Sequence, residues 1–262
     1  MDKLIVPILL GWVLGYVVNY LADVLPGTRR LTRPACPNCG TAYPVLGYLV
    51  GRDCRTCGKA RGLRIWLVLF GMVAISIYVW TTPPRGLGYW LGMALLVYFA
   101  VVTVVDIEHR LILHPTSIAG AALAISLGWI SHGLIPTVLG GFAGLGIMLV
   151  LYLFGRMFSK ARGQRLRAAG MPDDGEEALG AGDVILGAIL GLMLGWPLIW
   201  FGLLLGVLLG GIGGVVLMLS MLLSRQYGRN ALNVFMPYGP FFITSAVFIT
   251  YFPNWIARLL PE

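Results

Sequence analysis

Eight stretches of this chain are long, apolar and almost free of charge: residues 4–25, 64–82, 88–106, 111–131, 134–157, 183–196, 198–223 and 237–257. About 20 residues of helix cross roughly 30 Å of hydrocarbon, and all but the sixth stretch approach that length. Lipid offers no partners to backbone N–H and C=O groups, so a spanning segment must satisfy them itself as a helix or join a closed barrel. Consecutive stretches of this length with short connections predict helices. The composition agrees: 58% of residues are hydrophobic and 11% charged, against about 25% charged in soluble domains. The expected fold class is therefore all-α, a polytopic transmembrane helical bundle of about eight spans. The sixth span is short, which predicts that it is tilted, broken or set low in the bilayer.

Charge placement orients the bundle. Lys3 alone is too little for the basic region of a signal peptide, so the first span is expected to be permanent. Of the 19 Lys and Arg residues, 16 fall in the loops after spans one, three, five and seven, leaving Lys3, Arg85 and Arg258 on the other side. Basic loops stay cytoplasmic, which predicts both termini outside and most of the +8 net charge on the cytoplasmic face. That face suits anionic membrane lipid. Nucleic acid is not an expected partner, because the arginines lack interleaved aromatics and any recognition motif.

Two polar insertions divide the chain into a first span (1–25), a cytoplasmic cysteine loop (26–63) and a membrane domain (64–262) that carries a cytoplasmic loop at 155–182. The second loop is basic first (RMFSKARGQRLR) and acidic later (PDDGEE), and is expected to begin as a helical extension of span five. The glycines concentrate in the spans, where close helix packing is their usual reason; GGIGG at 210–214 is expected to serve that purpose. All four cysteines lie in CPNCGTAYPVLGYLVGRDCRTC, as Cys36, Cys39, Cys54 and Cys57. Two CxxC pairs separated by fourteen residues, in a reducing compartment, predict two knuckles that hold one structural Zn²⁺. Four thiolates leave no open position for catalysis. The competing reading, a redox pair, suits two similar knuckles less well.

Acids at span edges carry the chemistry. Asp106 ends the third span in VVTVVDIEHR, and Asp183 opens the sixth in LGAGDVILG. Counting crossings places both on the cytoplasmic side, so the two carboxylates are expected to meet at one depth. An aspartate at the start of a helix is a good N-cap, which explains Asp183 alone. An aspartate at a helix C-terminus opposes the macrodipole, so Asp106 needs another reason. Two carboxylates that share one proton form an aspartic protease centre, in which one activates water and the other polarises the scissile carbonyl. Gly180 and Gly182 beside Asp183 would let the backbone bend and a peptide approach. Asp23, at another span end, has no carboxylate partner in this reading, and Glu108 is expected to partner an arginine.

ALGAGDV resembles the GxGD motif of type IV prepilin peptidases, a family of intramembrane aspartic proteases. VVDIEHRLI resembles that family's first-aspartate motif, CPNC…CRTC its cytoplasmic cysteine loop, LGYVVNYLADVLP its first-span pattern, and FMPYGPFF its late Pro-Gly-Pro motif. The resemblance implies that Asp106 and Asp183 are the catalytic pair, with Gly180, Gly182 and Glu108 in support. It implies a prokaryotic cytoplasmic (inner) membrane location. It also implies removal of the basic leader from prepilins or pseudopilins, with the cut after a glycine and before a hydrophobic helix. Acidic recognition of that leader is expected from Glu108, Asp173, Asp174, Glu176 or Glu177. Many members then methylate the new N-terminus, which makes S-adenosylmethionine a candidate cofactor. Departures from the pattern lie in the short gap between knuckles, GLRIWLV without an acid, Leu113–His114, and Ile185; these predict weak or absent methyl transfer. Two rival readings are an ion- or proton-coupled transporter that uses the aspartates as a relay, and a non-enzymatic assembly protein that docks through its metal loop.

Overall fold

The computed structural model describes residues 4–168, 180–223 and 237–253. Nine helices occur among them: α1 (Ile5–Thr28), α2 (Val45–Leu49), α3 (Arg64–Thr81), α4 (Gly88–His109), α5 (His114–His132), α6 (Leu134–Ala168), α7 (Ala181–Leu194), α8 (Leu198–Leu223) and α9 (Gly239–Tyr251). The only β feature among the described residues is an isolated bridge between Ala35 and Ala42. The protein is all-α.

Each of the eight apolar stretches contains a helix. Five of these, α1, α3, α4, α6 and α8, are long and apolar enough to cross a membrane. The apolar α7 and α9 have 14 and 13 residues, about 20 Å each, shorter than a straight span. The 19-residue α5 carries a histidine at each end and is not among the five. The extension of span five is present, since α6 continues to Ala168. Beyond it, Asp173, Asp174, Glu176 and Glu177 lie outside the described residues, as do Lys3, Arg225, Arg229 and Arg258.

Packing divides the chain into two compact units, Met1–Thr116 and Ser117–Glu262. In the first, α1 and α3 run antiparallel in close contact. Gly11 and Gly15 sit against α3, where a Cβ on Gly11 would lie 2.6 Å from the Val73 Cα and one on Gly15 3.1 Å from the Leu69 Cα. Polar groups pin the register at both ends of this seam: Ser76 Oγ donates to the Pro7 carbonyl (2.6 Å), and Asn19 Nδ2 to the Ile65 carbonyl (3.2 Å). Tyr89 of α4 joins through its hydroxyl, 2.7 Å from Ser76 Oγ. Helices with small residues at the contact gain dispersion energy and hydrogen bonds that lipid cannot replace.

The second unit repeats this logic. Gly140 and Gly144 of α6 face Gly187 and Gly191 of α7 so closely that a Cβ on any of the four would overlap the opposite helix. Four glycines at i, i+4 spacing thus make the α6–α7 seam. Ser245 of α9 donates to the Gly202 carbonyl of α8 (2.7 Å), and Gly206 admits the Phe242 ring. Within GGIGG the expectation holds for Gly210, which lies under Tyr238. A Cβ on Gly211 or Gly214 would meet nothing within 4 Å.

Candidate active site and metal centre

The cysteine loop builds two knuckles of the same design. The Gly40 N–H donates to the Cys36 carbonyl (2.8 Å), and the Gly58 N–H to the Cys54 carbonyl (2.9 Å). Gly40 and Gly58 have φ of 71° and 68°, left-handed values that favour glycine. Return bonds close each turn, from Cys36 N to Thr41 O (2.9 Å) and from Cys54 N to Lys59 O (3.1 Å). The four Sγ atoms lie within 4.8 Å of one another. Cys36 and Cys57 sulfurs are 3.6 Å apart, and those of Cys39 and Cys54 3.5 Å. Tetrahedral ligation with Zn–S near 2.3 Å puts sulfurs about 3.8 Å apart, so the cluster could hold a metal ion with small adjustment. Backbone N–H groups of Asn38 and Cys39 lower the Cys36 thiol to about 6, which favours the thiolate that a metal needs. The knuckles that the spacing predicts are both present.

A second cluster was not visible in the sequence. Asp23, near the end of α1, accepts from the Tyr48 hydroxyl (2.6 Å) and from Arg61 Nη2 (2.9 Å), and pairs with Arg64. Arg64 reaches on to Glu108 at 2.7 Å. Glu108 therefore has the arginine partner that was expected, from a place in the last turn of α4 rather than in a loop. Arg61 does most to dock the cysteine loop. Its side chain is 7% exposed. It donates to the Tyr48 carbonyl (2.8 Å) and stacks over the Tyr48 and Tyr43 rings, 4.0 and 5.3 Å from their centroids. Beside this network lies a cavity of ≈ 460 Å³, lined by Asp23, Arg33, Lys59, Arg61, Arg64 and Glu108 among others.

Asp23 is thus more than a span-end acid. Removing one partner of a buried ion pair strands the other charge, at a cost of about 3 kcal/mol or more. We expect Asp23→Asn and Arg61→Ala to loosen the cysteine loop, seen as faster proteolysis between residues 29 and 63 and faster metal loss to a chelator. Asp23→Asn with unchanged protection would show that the network does not hold the loop.

Of the two aspartates that motif reading singles out, Asp106 lies in the first unit and Asp183 in the second. The Asp106 side chain is 5% exposed in the last turn of α4. Its carbonyl accepts from the N–H of Arg110, whose φ of 53° ends the helix. A carboxylate buried at the negative end of a helix is doubly disfavoured. Nothing in the helix-ending geometry requires one there. Asp183 is half-buried in the first turn of α7, and its Oδ2 accepts from the Gly180 N–H at 3.0 Å. The N-cap is Gly180, with Asp183 at the third helical position, one half of a capping box. The Gly180 backbone is extended (φ −83°, ψ 151°), and Gly182 is already helical.

Residues 93–215 match the model of the type IV leader peptidase family. Over this segment, a little under half of the chain, the sequence is similar to that family. The matched stretch contains Asp106, Glu108, Gly180, Gly182 and Asp183, and ends before FMPYGPFF; the cysteine loop precedes it. No curated protein and no solved structure matches the chain. The five membrane-capable helices and the match to a membrane peptidase family point to a multi-pass membrane protein.

Proposed function

We propose that the protein is an aspartic endopeptidase that removes the basic leader from prepilin-like substrates at the cytoplasmic face of the membrane. The observation that carries the reading is Asp106: a buried carboxylate at the wrong end of an apolar helix, inside a segment that matches leader peptidases. Asp183, in the GAGD sequence of the same segment, is the second member of the pair. One carboxyl, ionised, takes a proton from water as the water attacks the scissile carbonyl. The other, protonated, donates to the developing oxyanion; the first carboxyl then passes the water's proton to the leaving amine, and the second recovers its own proton as the new carboxyl product forms. Gly182, without a side chain, leaves room for the substrate backbone beside Asp183.

The metal of the four cysteines is proposed to be Zn²⁺, in a structural role. These residues would hold it through four thiolates, with no position free for water. The 16-to-3 bias of basic residues supports a cytoplasmic position for the cysteine loop and an exterior position for both termini. The substrate leader would be drawn from the same side.

A transporter reading makes the opposite demand on the aspartates, which would relay ions and leave a peptide intact. Purified protein in proteoliposomes should cut leader-bearing peptides and carry no aspartate-dependent ion flux. Flux without cleavage would replace the peptidase reading.

Methyl transfer is expected to be weak. The stretch after Cys57 carries no acid until Asp106, so a sulfonium cofactor would have no carboxylate from that segment. Mass spectrometry of the processed N-terminus should show little gain of one methyl group. Quantitative methylation that depends on this protein would contradict that.

A further inference from the structure

Between its two charged flanks, the cysteine loop contains an uncharged run, TAYPVLGYLVG at residues 41–51. Arg29, Arg30 and Arg33 precede it, and Arg52, Asp53 and Arg55 follow at once. A loop that only linked two metal knuckles in water would have no use for so many apolar side chains. Val45 and Leu46 are 76% and 77% exposed, and Val50 57%. These side chains project from α2 and its C-terminal turn, away from the core that Tyr48 and Gly47 enter.

The register of this segment on α1 says where those side chains sit. The Asp23–Arg61–Arg64 network marks a charged layer at one end of the α1–α3 pair. Arg64 is also the first residue of the apolar α3. Below that layer, seven residues nearer the middle of α1, the Tyr16 hydroxyl donates to the Leu49 carbonyl at 2.8 Å. The carbonyl of the preceding residue, Tyr48, accepts from Arg61 of the charged layer (2.8 Å), so the segment lies just beneath that layer. The chain then turns at Gly51 (φ 68°), where a Cβ would lie 3.4 Å from the Trp66 ring, and climbs back to Arg52 and Asp53. Trp66 belongs to an aromatic cluster with Phe70, Trp12 and Tyr16, the residue types that gather at the membrane–water interface.

We propose that residues 45–50 are a re-entrant interfacial anchor, which inserts Val45, Leu46 and Val50 into the acyl–glycerol region of the leaflet on the cysteine-loop side. The occupant of this exposed face is lipid. The contacts of Leu49 with Tyr16 and of Gly51 with Trp66 set the segment against the apolar ends of α1 and α3, the level at which headgroups give way to acyl chains around these membrane-capable helices. The flanking arginines remain among the headgroups, and the apolar tip binds by buried area. The metal knuckles are thereby held flat against the bilayer rather than free in solvent. This placement does not depend on the peptidase reading.

The test uses the full chain in phospholipid liposomes, with an environment-sensitive fluorescent amino acid at position 46, at position 50, or at Thr56 on the exposed rim of the second knuckle. The expected result is blue-shifted emission at 46 and 50, quenched several-fold more by lipids brominated on the acyl chain than by aqueous iodide, with the reverse order at 56. Iodide quenching at 46 equal to that at 56 would put the segment in water and overturn the proposal. Emission at 46 that neither agent quenches would mean that protein, such as a second copy of the chain or a bound partner, covers the patch, and would overturn it equally. A near-native circular dichroism spectrum and elution volume for each labelled protein establish that the comparison is made on folded chains.

Discussion

Asp106→Asn and Asp183→Asn should each reduce leader cleavage by about 10⁴-fold or more, because each removes half of a proton-sharing pair while preserving side-chain size. The double variant should lose no more than either single one, since groups that act as a unit are not additive. All three proteins should accumulate in the membrane as folded protein. The Oδ2 bond of Asp183 to the Gly180 N–H closes the first turn of α7, and an asparagine carbonyl can still accept that bond. Loss of activity in Asp183→Asn is thus separable from loss of the cap. Cleavage should follow pH through the apparent pKa values of the pair, not of either residue alone. The measurement is an initial rate on a leader-bearing peptide; a rate within about tenfold of wild type for either folded single variant would exclude a shared-proton mechanism.

The second large effect is expected at the metal centre. Structural Zn²⁺ contributes apparent free energies of about 10 kcal/mol or more to small cysteine-ligated units. Cys36→Ser or Cys54→Ser strikes a buried ligand, and should reduce metal content from about one ion per chain to near zero. The loop should then lose protection across both knuckles, with Gly40 and Gly58 no longer held in their turns. Because the four cysteines lie outside the aspartate-bearing segment, the surviving folded fraction should retain cleavage chemistry. Elemental analysis and thiol titration check the first part. Metal-free protein with four reactive thiols and unchanged stability would contradict it.

How much of this was legible in the chain depends on the range of each interaction. The knuckles could be read because CxxC places both sulfurs and the turn glycine within five residues. The helices could be read because lipid forces every apolar stretch of this length to satisfy its own backbone, and the Gly140–Gly144 and Gly187–Gly191 spacings announce close packing. The Asp23 network could not be read. Its members Tyr48, Arg61 and Arg64 are 25, 38 and 41 residues from Asp23, and in sequence the arginines count only as topological charge. The same limit applies to the anchor: an uncharged run is visible, but its depth depends on distant contacts, Tyr16 with Leu49, Trp66 with Gly51 and Arg61 with Tyr48. At Gly180 the motif suggested a bend that only glycine could make, whereas the backbone there is extended and open to other residues. Gly211 and Gly214 likewise have no close neighbour that explains them.

The most direct test of the central claim is the mass of the products when purified, metal-replete protein acts on a pilin-like peptide carrying a basic leader and a hydrophobic helix. The account predicts two fragments whose masses place one cut after the glycine that precedes the helix, and no fragments from the Asp183→Asn protein in the same assay. An intact peptide after prolonged incubation with the folded wild-type chain, or the same two fragments from Asp183→Asn, would contradict it.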